Sequence, residues 1–252
     1  MLDPIFFHHA FWIRRSRLWH LRRGVALNAG FVNKVFRVLD RNMPPYRFNF
    51  FAQHKRPTYV FGNNGGQRRA WGGPYYRYDI DAQQNKLLCK LEGVCGSAAV
   101  VSYCCPTFYT KKELWTANSS GQILQRTNYA PPSRLANHHT YSFTEPGGRG
   151  KGHSEEEEIE GKTLEEMLAL SNEVNHPQPV SQLVMLMGKA IREAFDELGD
   201  DSRFARELVA SLLANAAQGA EGFSLADAVA HIIALRFAFG TSVMLMGGDD
   251  KR

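Results

Sequence analysis

Residues 46–56 read YRFNFFAQHKR, and this stretch carries most of the information about the fold. Its first part, Tyr46 to His54, is rich in aromatic side chains that partly alternate with polar ones, a pattern that predicts a β-strand. Upstream, residues 26–39 place apolar side chains three to four positions apart, which predicts a helix. Pro44 and Pro45 break that helix. The segment is therefore predicted to be a helix followed by a strand.

Helix and strand patterns continue to alternate downstream. Residues 75–80 predict a short strand, 82–91 a helix, 97–105 a buried strand and 111–117 the beginning of another helix. A loop rich in Gly and Asn at 62–73 lacks the Lys-Ser/Thr ending of a phosphate-binding P-loop, so nucleotide binding is not predicted there. Alternation of this kind predicts an α/β fold built around a mixed sheet.

The chain changes character after residue 146. Residues 147–160 combine closely spaced glycines with a run of glutamates and predict a linker. Four helices are predicted beyond it, the first opening with a capping-box pattern at Thr163 and Glu166. The predicted organisation is a basic α/β domain over 1–146, a linker over 147–160 and an acidic helical bundle over 161–252.

Charge is distributed unevenly along the chain. Residues 1–150 hold 21 Lys and Arg against 7 Asp and Glu, a balance of +14, and residues 151–252 hold 9 against 18, a balance of −9, which together give the net charge of +5. Such asymmetry indicates that the first part binds a polyanion, most simply nucleic acid. The predicted contacts are Arg14, Arg15, Arg17, Arg56, Arg68 and Arg69. Arg14, Arg15 and Arg17 alternatively belong to a basic amphipathic helix on the protein's own surface.

Composition also bears on the cellular setting. Four cysteines are too few for a disulfide scaffold in a chain of 252 residues. The apolar run near the N-terminus, 4–13, has neither the basic residues before it nor the cleavage site after it that mark a signal peptide. It is also shorter than the ~20 residues that a transmembrane helix needs. A cytoplasmic protein with reduced thiols and no membrane partner is therefore expected. The helical C-terminal part is expected to bind a protein partner or to self-associate.

Asp40, Gln53 and Lys55 form the spacing that indicates chemistry. Metal-dependent nucleases need oxygen ligands for a hard divalent cation and a lysine near the scissile phosphate. Residues i and i+2 of a strand point to the same face, so Gln53 and Lys55 are predicted to converge. An acid at the start of a neighbouring strand, Asp40, would complete the site. In the alternative reading, Asp40 caps a turn, Gln53 is a satisfied strand residue and Lys55 is a surface charge.

On these residues the chain resembles the PD-(D/E)xK nuclease superfamily, and within it the Mrr-like restriction endonuclease branch, where the strand reads apolar-Gln-x-Lys-Arg. The resemblance spans residues 27–117. It implies a restriction-endonuclease-like mixed-sheet core and Mg²⁺-dependent hydrolysis of phosphodiester bonds, with DNA favoured over RNA. It also implies that Asp40 and Gln53 hold the metal and that Lys55 stabilises charge.

The chain departs from that family in one respect that bears on activity. Family members often carry a glutamate on an early helix, whereas no glutamate precedes Glu92 here. The alternative is a non-catalytic nucleic-acid-binding or scaffold subunit of a larger complex that keeps a degenerate nuclease fold.

Several other groups are weaker candidates. The ligand types of a zinc site are present in Cys89, Cys95, Cys104 and Cys105 with His138 and His139. Their spacing fits a zinc site poorly, and buried free thiols are expected instead.

Asp79 and Asp81 share a strand face and could bind metal, although a turn or helix-cap role is favoured. Gln84 is a minor candidate for a helix residue near the active site. His138 and His139 are minor candidates for acid–base groups, and His231 is expected to be a core histidine.

Overall fold

The computed structural model describes residues 5–6, 28–43, 46, 48–61, 71–154, 156–172, 178–214 and 222–246. The helices are α1 (Ala29–Asn42), α2 (Ala82–Cys95), α3 (Lys111–Ser119), α4 (Leu164–Asn172), α5 (Val180–Leu198), α6 (Arg203–Leu213) and α7 (Leu225–Phe239). The strands are β1 (Ile5–Phe6), β2 (Phe48–His54), β3 (Thr58–Val60), β4 (Tyr75–Asp79), β5 (Ala99–Pro106), β6 (Thr127–Ala130), β7 (Thr140–Phe143), β8 (Gly148–His153), β9 (Glu157–Gly161) and β10 (Ser242–Met246). The predicted α/β class is confirmed.

The strands form two five-stranded sheets. One has the order β1-β10-β2-β5-β6, in which β1 pairs antiparallel with β10 and β5 pairs antiparallel with β6. The other has the order β3-β4-β7-β8-β9, and all of its neighbours are antiparallel. The second sheet is thus a continuous antiparallel surface.

The chain divides into two compact units. The first unit contains Met1–Phe51, Gly93–Val100 and Val174–Arg252, and the second contains Ala52–Glu92 and Val101–Glu173. The division passes through β2 and β5, so each unit is assembled from separate stretches of sequence. It does not coincide with the predicted boundaries at 146 and 161.

Helices dominate the first unit. Helix α5 contacts both α1 and α7, and α6 contacts α7. Gly188 of α5 faces Ala228 of α7 so closely that a Cβ at Gly188 would overlap it, and this explains the glycine in the middle of a long helix. Three of the four helices predicted for the C-terminal part belong to this unit. The fourth, α4, has the predicted hydrogen bonds between Thr163 and Glu166 but belongs to the second unit.

The segment predicted as a linker, 147–160, instead contributes β8 and β9 to the second sheet. Its glycines are needed for close packing, because a Cβ at Gly150 would overlap the Tyr141 ring and one at Gly152 would overlap the His138 ring. Glu156, Glu157, Glu158 and Glu160 are exposed, and Glu156 pairs with Lys151 at 2.7 Å. Glycines that accommodate rings and glutamates that face solvent give the same composition as a flexible linker, and this is why the prediction was wrong.

Candidate functional site

Lys55 directly follows β2 and is fixed by the neighbouring strand. Its backbone amide donates a hydrogen bond of 2.9 Å to the carbonyl of Cys104 on β5. Gln53 is buried and Lys55 half-buried, whereas His54 and Arg56 are exposed. This alternation puts Gln53 and Lys55 on the same, inward side of the chain.

The surroundings of the Lys55 ammonium combine an aromatic face with negative charge. Nζ lies 5.3 Å from the centroid of the Tyr103 ring, within the range of a cation–π contact. Burial lowers the pKa of Lys55, and electrostatic interaction with Asp81, Cys105 and Asp79, in their ionised forms, raises it in opposition. Burial also holds the pKa of the Cys105 thiol well above its ordinary value, so this group is neutral at physiological pH. The negative charges that act on Lys55 are therefore the carboxylates of Asp81 and Asp79.

Both carboxylates lie where β4 gives way to α2. Asp79 is the last residue of β4, and its Oδ1 lies 3.4 Å from the hydroxyl of Thr140. Asp81 Oδ1 accepts a hydrogen bond of 2.7 Å from the backbone amide of Gln84, which makes Asp81 a cap of α2. The predicted cap role of Asp81 is confirmed, and both side chains are exposed.

Asp40 lies in α1 and not at the start of a strand, contrary to the expectation. The helix begins at an Asn28 cap, whose side chain accepts from the amide of Phe31, and it continues past Asp40 to Asn42. Asp40 Oδ1 accepts a hydrogen bond of 2.9 Å from the backbone amide of Ser181. Asp40 belongs to the first unit, and Gln53 and Lys55 belong to the second.

The Tyr103 ring, which the Lys55 ammonium contacts, packs against a second buried tyrosine. The Tyr78 and Tyr103 rings are 5.7 Å apart, and both residues are almost fully buried. Neither hydroxyl has a hydrogen-bond partner among the described residues. Burial, together with the charges of Cys89 and Asp81, raises the pKa of Tyr103, so its hydroxyl stays protonated and can donate.

The residues around Lys55 supply the types of ligand atom that Mg²⁺ prefers, but fewer of them than a tightly held ion needs. Carboxylate and amide oxygens are the ligands that Mg²⁺ prefers, and Asp79, Asp81 and Gln53 supply them. Within the described ranges, no group of three or more His, Cys, Asp or Glu side chains is arranged to hold a metal. Mg²⁺ in this region would therefore depend on two carboxylates, one carboxamide and water.

The zinc alternative finds no support in the cysteines. All four are free, and Cys104 and Cys105 are buried. Burial is the main cause that raises the pKa of Cys89 to about 11 and that of Cys95 to about 12. Zinc binds thiolates, which these environments disfavour. Cys95 also lies in the first unit and the other three in the second.

The two histidines considered as acid–base groups differ in burial. The His138 ring is buried beneath β8, with Nε2 3.3 Å from Glu157 Oε2, and His139 is exposed. In the first unit, His231 Nδ1 lies 2.7 Å from the carbonyl of Asp227, and its ring packs against Phe195 and Phe223. His231 is thus the core histidine that the sequence predicted.

Of the predicted nucleic-acid contacts, only Arg56 lies in a described segment, and it is exposed. Arg14, Arg15, Arg17, Arg68 and Arg69 lie outside the described residues. The roles of all six in binding nucleic acid stay predictions.

Sequence reasoning missed an aromatic cluster centred on Tyr59. Its ring contacts those of Phe61, Tyr76 and Tyr109 at centroid distances of 4.6–6.1 Å. The available signal was Thr58-Tyr59-Val60, three residues with high strand propensity between Pro57 and Gly62. That triplet forms β3, an edge strand.

Comparison with known proteins adds no family to this description. In the described residues, the structure contains no helix of the length and apolar character needed to cross a membrane. The chain matches no protein-family model, no curated protein and no solved structure.

Proposed function

We propose that the chain is a metal-dependent nuclease that hydrolyses phosphodiester bonds in DNA, with Lys55 at its active site. The environment of Lys55 carries this proposal. An ammonium group half-buried against Tyr103 and acted on by Asp79 and Asp81 combines a cation for the phosphate with carboxylates for a metal.

Lys55 would act on charge that develops during the reaction. Its ammonium group would offset the negative charge that builds up on the phosphate oxygens in the transition state. Because Lys55 is partly desolvated, this interaction is stronger than it would be in bulk water.

Asp79, Asp81 and Gln53 would hold the Mg²⁺ ion. Bound there, the ion would lower the pKa of a coordinated water and neutralise phosphate charge. Asp40, the acid expected from the family resemblance, belongs to the first unit, whereas Asp79 and Asp81 belong with Lys55 to the second unit and act on the pKa of its ammonium group. We therefore assign the metal carboxylates to Asp79 and Asp81.

The test is cleavage of supercoiled plasmid and of single-stranded DNA, each with Mg²⁺ or with EDTA. Lys55→Ala, Asp79→Asn and Asp81→Asn should each reduce the Mg²⁺-dependent rate by roughly a hundredfold. Lys189→Ala, which removes an exposed lysine of α5, is the matched control and should cleave like the parent. If Asp40→Asn abolishes cleavage while Asp79→Asn and Asp81→Asn do not, the metal ligands belong to the set expected from the family.

A second function is favoured by the small number of acidic groups near Lys55. In this alternative the chain is a non-catalytic nucleic-acid-binding or scaffold subunit, and the charge balance of +14 over residues 1–150 supports binding without catalysis. A purified chain that binds DNA but cleaves neither DNA nor RNA with any divalent cation would favour this function over the nuclease.

A protein partner, or self-association through the C-terminal helices, is also proposed. Its support is the exposure of large apolar side chains on α5, α6 and α7, namely Leu186, Phe204 and Phe237. Sedimentation of the full chain, alone and with the substitutions Phe204→Ser and Phe237→Ser, tests the self-associating form. Identical sedimentation of a monomeric parent and both variants would count against it.

A further inference from the structure

Four aromatic side chains form a continuous cluster in the second unit, here called the aromatic surface: Tyr59, Phe61, Tyr76 and Tyr109. The rings of Tyr59 and Tyr109 are stacked, with centroids 4.6 Å apart and planes inclined by 11°. Tyr59 also contacts Tyr76 at 4.9 Å and Phe61 at 6.1 Å. Tyr59 is therefore the centre of the cluster.

Part of this cluster is accessible to solvent. Phe61 is 69% exposed and Tyr109 is 44% exposed, whereas Tyr59 and Tyr76 are half-buried. Tyr76 in turn contacts Phe143, which is fully buried, at 5.7 Å. The aromatic surface is thus the exposed end of a series of rings that begins in the core of the second sheet.

Hydrogen bonds hold the Tyr76 ring and the backbone of Tyr109 in place. The hydroxyl of Tyr76 donates to the carbonyl of Thr107 at 2.9 Å. The backbone amide of Tyr109 donates to the carboxylate of Glu113 at 3.2 Å, within the capping box that begins α3. A partner that stacks on these rings would lose little free energy in ordering them.

The immediate surroundings of the aromatic surface are positively charged. Arg126 donates from Nη2 to the same Thr107 carbonyl, at 3.2 Å, so its guanidinium lies beside Tyr76. Lys111 and Lys112 are exposed and follow Tyr109 within three residues. Glu113 is the opposing charge, and its carboxylate accepts hydrogen bonds from the hydroxyl and amide of Thr110. Arg126 beside the rings and two exposed lysines close in sequence to Tyr109 favour a ligand that is both anionic and aromatic.

We propose that the aromatic surface binds single-stranded nucleic acid by stacking unpaired bases on Phe61 and Tyr109, with Arg126, Lys111 and Lys112 facing the phosphates. Single strands expose the base faces that duplexes keep stacked, so single-stranded DNA or RNA binds in preference to duplex. The choice of nucleic acid as the partner rests on the proposed function, but binding here does not require Lys55 to be catalytic.

The position of β3 connects this surface with Lys55. Only Arg56, Pro57 and Thr58 separate Lys55 from Tyr59. Four residue steps span at most about 14 Å between the two Cα atoms. A nucleic-acid strand that is stacked on Tyr109 and Phe61 and runs toward β2 would reach Lys55 within a few nucleotides.

The experiment measures binding of the full chain to a fluorescein-labelled oligothymidine and to an oligonucleotide containing 2-aminopurine, both in EDTA so that no metal-dependent cleavage occurs. Tyr109→Ala and Phe61→Ala should each weaken binding by roughly fivefold to a hundredfold and should abolish the fluorescence change of 2-aminopurine on stacking. Tyr109→Phe keeps the ring and should bind like the parent. Val38→Ala trims an apolar side chain that is 53% exposed but lies in the first unit, and it should have no effect.

The outcomes separate this inference from the nuclease proposal. Lys55→Ala should keep the stacking signal even if it loses cleavage, and Tyr109→Ala should lose the signal whether or not the parent cleaves. Unchanged affinity and fluorescence in both Tyr109→Ala and Phe61→Ala would overturn the inference. Equal affinity for duplex and single-stranded nucleic acid would also overturn the inference. If Tyr109→Ala and Phe61→Ala lose self-association and the parent binds no nucleic acid, the aromatic surface is a protein interface and the inference is wrong.

Discussion

The carboxylate of Asp40, on α1, accepts a 2.9 Å hydrogen bond from the backbone amide of Ser181, the second residue of α5. The N-cap position of α5 is Pro179, which makes no side-chain cap hydrogen bond of its own. Asp40 therefore supplies from another helix the acceptor that a local cap would provide, and its negative charge also suits the positive end of the α5 dipole. A residue expected to hold metal thus stabilises the contact between two helices.

Asp40→Ala should lower the free energy of unfolding by about 1 kcal/mol, because the Ser181 amide loses its acceptor. Asp40→Asn keeps an acceptor oxygen and should lose only a few tenths of a kcal/mol through the missing charge. Urea denaturation of the parent and the two variants provides the measurement. Equal stability of Asp40→Ala and the parent would show that the cap contributes nothing to the free energy of unfolding. That result would favour a metal-binding role for Asp40.

Gly150→Ala should destabilise the second unit by roughly 1–3 kcal/mol, because the added Cβ overlaps the fully buried Tyr141 ring. Gly93→Ala is the matched control. Gly93 lies within α2 with open space around its Cβ position, so alanine there should stabilise by about 0.5–1 kcal/mol. Thermal denaturation and limited proteolysis provide the readouts. Rapid cleavage of the parent within 148–161 would indicate that the β8–β9 hairpin is not stable in solution.

Stability should decrease as the pH falls below about 6.5, because two histidines are neutral in the folded protein. Burial is the largest cause that lowers the pKa of both His153 and His231 from 6.5. His153 Nε2 lies 2.7 Å from the hydroxyl of Ser142, which itself accepts from Trp71 Nε1. In the neutral tautomer with its proton on Nδ1, the Nε2 atom accepts from this hydroxyl. Protonation of this nitrogen would remove that acceptor.

The sign follows from proton binding by the two states. The unfolded chain takes up protons near pH 6.5, and the folded chain takes them up only at lower pH. The contribution of His153 and His231 to the free energy of unfolding is therefore complete above pH 6.5. It is lost as the pH falls through the pKa values that the two histidines have in the folded protein. Urea denaturation at about pH 7.5 and about pH 5.5 should show a smaller loss for His153→Gln and His231→Gln than for the parent. His139→Gln, at an exposed position, should keep the parent's loss, and an equal loss in all four proteins would refute the assignment.

Local patterns predicted the helices well because their signals lie within a few residues. Ser224 and Asp227 form the capping box of α7, and Gly240 ends it with a left-handed φ of 68°. Helices α2 and α3 likewise begin at the predicted residues 82 and 111. Each of these signals depends on hydrogen bonds or dihedral angles that are local to the chain.

Several strands were missed because their signals depend on distant partners. Strand β8 contains three glycines, and nothing local shows that Tyr141 and His138 fill the space beside Gly150 and Gly152. The same limit applies to the site. Alternation predicted that Gln53 and Lys55 share one side of the chain, whereas the Asp40–Ser181 hydrogen bond joins residues 141 positions apart.

Gln53→Glu tests directly whether Mg²⁺ binds beside Lys55. Gln53 is 5% exposed, and its Nε2 donates to the carbonyl of His54 at 3.4 Å. In EDTA the variant should be less stable than the parent, because a carboxylate replaces a neutral amide in a buried position and that donor is lost. In saturating Mg²⁺ the new carboxylate should become a metal ligand, and the gain in stability on adding Mg²⁺ should exceed that of the parent. A free Mg²⁺ concentration of about 100 times Kd raises the free energy of unfolding by about 2.7 kcal/mol.

Thermal denaturation with Mg²⁺, with EDTA and with NaCl at matched ionic strength separates the possible outcomes. A stabilisation specific to Mg²⁺ and larger in Gln53→Glu than in the parent supports a metal site that includes this position. If Gln53→Glu is instead more stable than the parent in EDTA and gains nothing from Mg²⁺, the new carboxylate pairs with Lys55 alone. Residue 53 would then have no part in holding metal, and the non-catalytic function would be preferred, because Asp79 and Asp81 alone are too few ligands for a tightly held ion.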